Sequence, residues 1–385
     1  MPDLPMPDAD ARALSAQLAA RIRMAVAAGG GRLGFDAYMQ LALYAPGLGY
    51  YVNGLRKFGA QGDFTTAPER SPLFARALAR QVAQVLTAVP DGEVLEFGPG
   101  SGALAAELLA ELDLLGFPPR RYLMLELSAE LRQRQRGAIA RRVPHLAGRV
   151  TWLEQLPEQF AGVVIANEVL DSMPVRRFRV VDGGITELYV TTAGEGMELV
   201  NGPPQEALLA ARVASLDLPP GYESEVNFAA EAWVRTVCER LQRGLLLLID
   251  YGYAQAEYYH PQRHTGTLQC HYRQHAHADA LLWPGLQDIT AHVDFTAVAQ
   301  AGCAAGATLA GFANQAQFLI NCGLPQLMAA IDPAGPVYMD LALQARQLLL
   351  PQTMGEAFKV LALTRGLDDG DGLIGFASGD RRHRL

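Results

Sequence analysis

Residues 94–109 read VLEFGPGSGALAAELL and set three glycines two apart, Gly98, Gly100 and Gly102, with Glu96 two residues ahead of the first. An apolar run leads in and a helix-forming run leads out, so the glycines fall at a turn between a strand and a helix. Glycine lets the backbone come close to a ligand, because no side chain intervenes. The start of the following helix offers unpaired N–H groups at the same place. The next apolar run, LMLELS at 123–128, ends on Glu126, with Leu127 behind it. A carboxylate there can accept both hydroxyls of a ribose. The chemistry these residues suit is the holding of a nucleoside-bearing cofactor in the crevice outside the carboxyl ends of parallel strands.

Two cofactor classes want such a turn. A dinucleotide site needs G-x-G-x-x-G, and therefore glycine at position 103, where this chain has Ala103. Glu96 would also repel a pyrophosphate. The spacing E-x-G-x-G-x-G is instead the pattern of S-adenosyl-L-methionine-dependent methyltransferases, where the carboxylate suits the cationic amino-acid end of the cofactor. Glu96, Gly98, Pro99, Gly100, Ser101, Gly102, Glu126 and Leu127 are the resulting cofactor-binding candidates. The plain alternative is a tight strand-to-helix turn with no ligand.

A second cluster lies in GVVIANEVLDSMPV, residues 162–175, where a buried strand runs straight into Asn167, Glu168 and Asp171. These residues face the same crevice. Asn167 and Glu168 extend the cofactor set, and Glu168 and Asp171 are candidates for holding a nucleophile. The competing reading makes Asn167 the N-cap of a helix with acids in its first turn. Asp250 ends the apolar strand LLLLID and reads equally as a functional carboxylate or as a turn former beside Gly252. His260, His264, His271, His275, His277 and His292 crowd one region, yet no HExxH spacing and no ladder of carboxylates or cysteines accompanies them. No metal site is expected. Asp288, Thr290, His292 and Asp294 read as a loop anchor and helix cap beside a substrate groove, with His292 a candidate general base.

The elements that must position these residues alternate. Strands are expected at 94–97, 122–126, 150–153, 162–166 and 245–249, with later ones at 308–312 and 358–363. Helices are expected at 103–115, 129–141, 228–241, 293–302, 313–321 and 337–349. Short buried strands alternating with helices imply a parallel sheet covered on both faces. Ahead of them lie helices at 11–27 and 71–86 and a long irregular connection over 54–70. Residues 178–190 read as a hairpin attached to the main sheet, and 251–290 as a long loop region. The fold class is α/β, a Rossmann-like class I methyltransferase fold with a mostly parallel seven-stranded sheet. The expected division is an N-terminal helical and lid segment over 1–90 and a methyltransferase core over 91–385, with insertions at about 176–226 and 251–290.

Half of the 385 residues are hydrophobic and 19% are charged, which is enough apolar material for a large core. A net charge of −8 disfavours general nucleic-acid binding. The basic run from Arg132 to Arg142 reads as the solvated face of a helix. Four cysteines without a CxxC pair fit a reducing compartment. The first residues resemble neither a secretory signal nor a transit peptide, and no run reaches the roughly 18 apolar residues of a membrane span. The cytoplasm is the expected location, with no membrane insertion.

GDFTTAPERSPLF, VLEFGPGSG, IANEVLDSMPV, LLIDYGY, EYYHPQR, GTLQCHYR and QDITAHVDF together resemble the MidA family of class I methyltransferases, over about residues 35–366. The resemblance implies S-adenosyl-L-methionine as cofactor and S-adenosyl-L-homocysteine as product. It also implies that the segment with Asp63, Thr66, Pro68 and Glu69 lies over the cofactor as part of a lid. The competing reading of that segment is the N-cap region of the next helix. Mitochondrial members assist assembly of respiratory complex I by dimethylating an arginine of one subunit, so a protein arginine, on an equivalent subunit, is the candidate substrate. Glu168 and Asp171, with Glu69 as a third, would then hold the guanidinium. Rival readings are methylation of a small molecule, a cofactor-binding assembly chaperone with little turnover, and a nicotinamide dehydrogenase. Oligomeric state stays open, a homodimer included.

Overall fold

The computed structural model describes residues 4–54, 66–194, 196–367 and 372–385. The chain divides into two compact units, each assembled from separated stretches. One holds 65–170, 232–254 and 295–385, and the other holds 1–64, 171–231 and 255–294.

The first unit is built on seven strands: β1 (Glu93–Phe97), β2 (Tyr122–Leu125), β3 (Val150–Leu153), β4 (Phe160–Asn167), β5 (Leu241–Tyr253), β6 (Thr308–Asn314) and β7 (Phe358–Arg365). They stand in the order 3-2-1-4-5-7-6. β1 to β5 pair in parallel, and β7 runs antiparallel to both β5 and β6. These strands are short apolar runs without alternation because both faces are covered. Leu245 through Asp250 are all completely buried. On one face Val94, Tyr122, Met124, Val163, Ile165, Leu247 and Val360 pack under helices α1 (Pro72–Ala88), α2 (Ala103–Leu114) and α3 (Ala129–Arg142). On the other, Phe97 meets Trp233 edge-on, with ring centroids 4.7 Å apart. Leu363 lies there against Gly302 of the helix Phe295–Ala304. The layered class I methyltransferase fold expected from the sequence is observed.

Chain order reverses between β1 and β4, which are direct neighbours, with Phe97 opposite Ala166. The strand exits on either side of that switch point therefore open side by side, where ligands of such sheets bind. Asn167 pairs in turn with Ile249 of β5.

The second unit corrects two expectations. Residues 176–181 and 184–193 do form a hairpin through Asp182 and Gly183, but it is not attached to the main sheet. Its outer edges pair with Leu33–Gly34 and Glu223–Val226, and Gly196–Gly202 adds a fifth strand. Residues 251–290 are not a plain loop. Gln269–Tyr272 pairs with both His275–His277 and Asp288–Thr290 in a small sheet. Strands of three or four residues are too short to show a period of two. The helices Ala9–Ala28 and Phe35–Tyr44 also belong to this unit, and Leu18, Ile22, Phe35, Tyr38, Val175, Val190, Cys270 and Ile289 share its core. Among the described residues no helix is long and apolar enough to cross a membrane.

Candidate functional site

β1 ends in a backbone that only glycine adopts cheaply. Gly98, Gly100 and Gly102 have φ of 58°, 50° and 83°. The Gly102 N–H closes the turn onto the Pro99 carbonyl at 2.8 Å, and Gly102 is also the N-cap of α2. A Cβ at Gly102 would stand 2.9 Å from the Gln135 Cα, so this glycine also allows α3 to approach. Pro99 is buried, Gly100 and Ser101 are half-buried, and Gly98 is exposed.

Glu96 is buried just before this turn and accepts a hydrogen bond from the Tyr122 hydroxyl at 2.7 Å. Burial raises its carboxyl to about 7, against the pull of that bond, and the nearby Glu126 adds to the rise. Glu126 follows β2. Its Oε1 accepts from the Ser128 N–H at 2.8 Å and its Oε2 from Gln135 Nε2 at 3.2 Å. Burial pushes its carboxyl up as well, opposed by these bonds. Leu127 is exposed. The structure thus brings the glycine turn, Glu96 and Glu126 together.

It adds a residue that sequence reasoning missed. Gln135 is completely buried, donates to the Gly100 carbonyl at 2.9 Å as well as to Glu126, and accepts from Trp152 Nε1 at 2.8 Å. It shares the inward face of α3 with Ile139, four residues on. That spacing was the available signal. Of the arginines around it, Arg134 and Arg142 are solvated as expected and pair with Glu130 and Glu107, whereas Arg132 is mostly covered, pairing with Glu154 and donating to the Glu126 carbonyl.

The exit of β4 is built differently. No helix begins there, so the N-cap reading of Asn167 is wrong; residues 168–175 form an irregular turn leading to the hairpin. Glu168 takes φ of 53°, a left-handed conformation that side chains other than glycine rarely adopt. Two bonds to β5 hold it: the Glu168 N–H donates to the Ile249 carbonyl at 2.9 Å, and the Leu170 N–H donates to Asp250 Oδ2 at 3.1 Å. Asp250 Oδ1 accepts from the Tyr251 N–H. Asp250 therefore anchors the loop rather than merely forming a turn. Asn167 Nδ2 donates to Glu168 Oε1 at 3.1 Å, and Asn167 Oδ1 is buried with no hydrogen-bond partner among the described residues.

Thr66 heads the four-residue helix Ala67–Arg70, which has Pro68 in its first turn and packs against α2. Glu69, on that helix, is half-buried. The next helix, α1, has its own cap, with Ser71 Oγ accepting from the Leu73 N–H at 3.2 Å. Asp63 lies outside the described residues.

Asp171 and His292 belong to the other unit. The Ala291 N–H donates to the Asp171 carbonyl at 2.9 Å, which brings those two candidates near one another. The His292 N–H donates to Thr267 Oγ1 at 3.0 Å, and Thr267 is held by the buried Glu225. Asp288 is buried and accepts from the Tyr51 hydroxyl at 2.7 Å. Among the described residues no group of three or more His, Cys, Asp or Glu is placed to hold a metal ion.

Comparison with known proteins gives this geometry a setting. A family model described as "Putative S-adenosyl-L-methionine-dependent methyltransferase" matches residues 77–313. A crystal structure of a COG1565 superfamily member from Burkholderia thailandensis, bound to S-adenosyl-homocysteine, is 48% identical, covers 100% of both chains and superposes with a TM-score of 0.96. The protein arginine methyltransferase NDUFAF7 homolog of Drosophila melanogaster, mitochondrial, is 29% identical over 86% of this chain and 81% of its own. The mouse NDUFAF7 is 29% identical over 85% and 79%.

Proposed function

The chain belongs to the MidA family of S-adenosyl-L-methionine-dependent methyltransferases, and from that premise we propose that it methylates an arginine side chain of a protein. The cofactor is S-adenosyl-L-methionine. The residues present fit it. Three positive-φ glycines leave a bare backbone surface at the exit of β1, and the unpartnered Asn167 Oδ1 stands at the exit of β4 beside it. When bound, the cofactor supplies a methyl group on a positively charged sulfur.

In this reading Glu126 accepts the ribose hydroxyls, with Leu127 against the base. Glu96 offers its charge to the amino-acid end, which the turn Gly98–Gly102, with Pro99 and Ser101, receives. Asn167 and Glu168 close the second side, and Thr66, Pro68 and Glu69 cover it. Glu168, with Glu69, orients the nucleophile, whose proton passes to water as the methyl arrives. A free guanidinium stays protonated at neutral pH and is a poor nucleophile. Carboxylates that fork onto it localise its charge on one nitrogen and leave another free to attack. Alignment of this kind supplies roughly 7–11 kcal/mol of a barrier in favourable cases.

The observation that carries the arginine reading is the likeness, across most of the chain, to relatives named protein arginine methyltransferases. A subunit of respiratory complex I is the candidate target, as the family resemblance implies. The test uses deuterated-methyl S-adenosyl-L-methionine, the purified protein, and proteins extracted from cells lacking its gene. Mass spectrometry should find labelled methylarginine in one or a few proteins. Label on another residue type, or only on small molecules, would contradict the proposal.

A further inference from the structure

We infer that Gln135 is a positioning residue that ties the glycine turn to Glu126 and so sets the protein's discrimination for an intact ribose diol; this rests on the reading of Glu126 as the ribose acceptor. The orientation of the Gln135 amide is fixed by chemistry. Trp152 Nε1 carries a hydrogen and can only donate. It lies 2.8 Å from the Gln135 oxygen, so that oxygen must face the indole. The amide nitrogen is then turned the other way. Its two hydrogens meet the two acceptors on that side, the Gly100 carbonyl at 2.9 Å and Glu126 Oε2 at 3.2 Å.

The consequence for Glu126 follows from counting lone pairs. An ionised carboxylate has about four acceptor sites, two on each oxygen. Gln135 takes one on Oε2 and the Ser128 N–H takes one on Oε1. The acceptor capacity left over faces a ribose hydroxyl, and its direction is set by these anchors. With an anchor on each oxygen, the carboxylate plane cannot rotate. Without Gln135 the carboxylate loses its one side-chain anchor and is left to the backbone N–H groups of Ser128 and Leu127, both on the chain just after it. The same nitrogen holds Gly100, so one buried amide sets the nucleoside end and the amino-acid end of the site in a single register. Arg132 contributes by a different route, donating through Nε to the Glu126 carbonyl at 2.7 Å rather than to its carboxylate.

The test compares S-adenosyl-L-homocysteine with its 2′-deoxy analogue by calorimetry on the full-length protein, together with thermal melting. Wild type should prefer the intact diol by about tenfold or more, the worth of one hydrogen bond to a charged group. Gln135→Met, an uncharged replacement of similar size with no donors, should bring that ratio close to one. A merely structural loss would weaken both ligands alike and leave the ratio where it was, which would overturn the inference. Glu126→Ala runs in parallel. A ratio that survives Glu126→Ala shows that the ribose is held elsewhere and overturns both readings. A ratio that collapses in Glu126→Ala but survives Gln135→Met overturns the role of Gln135 alone. Should Gln135→Met melt below the assay temperature, Gln135→Glu at pH 8 serves in its place. It keeps an acceptor for Trp152 and loses both donors, and the ratio should again collapse.

Discussion

The exits of β1 and β4 stand side by side and solve one backbone problem by opposite means. Both turn through left-handed conformations. After β1 the chain uses glycine at all three such positions, where the conformation is cheap and the bare backbone is itself the binding surface. After β4 it places a glutamate there, and two bonds from β5 hold it in a conformation that costs about 1–3 kcal/mol. Glycine suits a site where the ligand meets the main chain. A strained acidic residue with an anchor suits a site where a side chain must be presented. The first exit is accordingly read as holding the cofactor and the second as acting on the substrate.

That division can be broken most sharply on the glycine side. Gly100→Val puts a β-branched residue at φ of 50°, a strain of roughly 1–3 kcal/mol. S-adenosyl-L-homocysteine should bind about ten- to a hundredfold more weakly. Equal affinity in calorimetry would show that the turn does not meet the cofactor. On the β4 side, Asp250→Asn exchanges one of two acceptors for a donor facing the Leu170 or Tyr251 N–H. Methyl transfer should fall about tenfold through loss of one bond to a charged group, and hydrogen exchange at Leu170 should quicken. Unchanged exchange there would remove Asp250 from the account.

A smaller effect distinguishes the two exits by pH. The carboxyl of Glu96 is raised to about 7 from an ordinary 4.5. Its protonated form therefore favours the folded state at low pH, and that contribution is lost as pH rises through about 7. Binding of a cationic amino-acid end favours the ionised form instead. Affinity for S-adenosyl-L-homocysteine should thus rise with pH, by up to about tenfold per unit below 7, and level off above. Titrations at pH 6 in buffers of different ionisation heat should register close to one proton released. None released would separate Glu96 from the ligand.

Much of this arrangement was legible in the sequence because it depends on local signals. The glycine spacing, Glu96, and the seven apolar runs that became the main sheet all appear as short, contiguous patterns. The rest depends on pairing between distant segments. Asp250 gave no sign that it would reach back to Leu170, eighty residues earlier. The hairpin at 176–193 carried a clear turn but nothing to say which edges it would join. Gln135 was masked by the arginines around it, since a helix that is mostly solvated hides a single inward polar residue.

The most direct test of the central claim is Glu168→Gln, assayed for both binding and transfer on one preparation. Glu168 follows the pairing of β4 with β5 and keeps its backbone anchor in this variant. The account predicts S-adenosyl-L-homocysteine affinity within about threefold of wild type. It also predicts that methyl transfer to proteins from gene-deleted cells falls by about 10²–10³, the usual loss for one positioned electrostatic group. Transfer at the wild-type rate would contradict it and leave the β4 exit without a catalytic role.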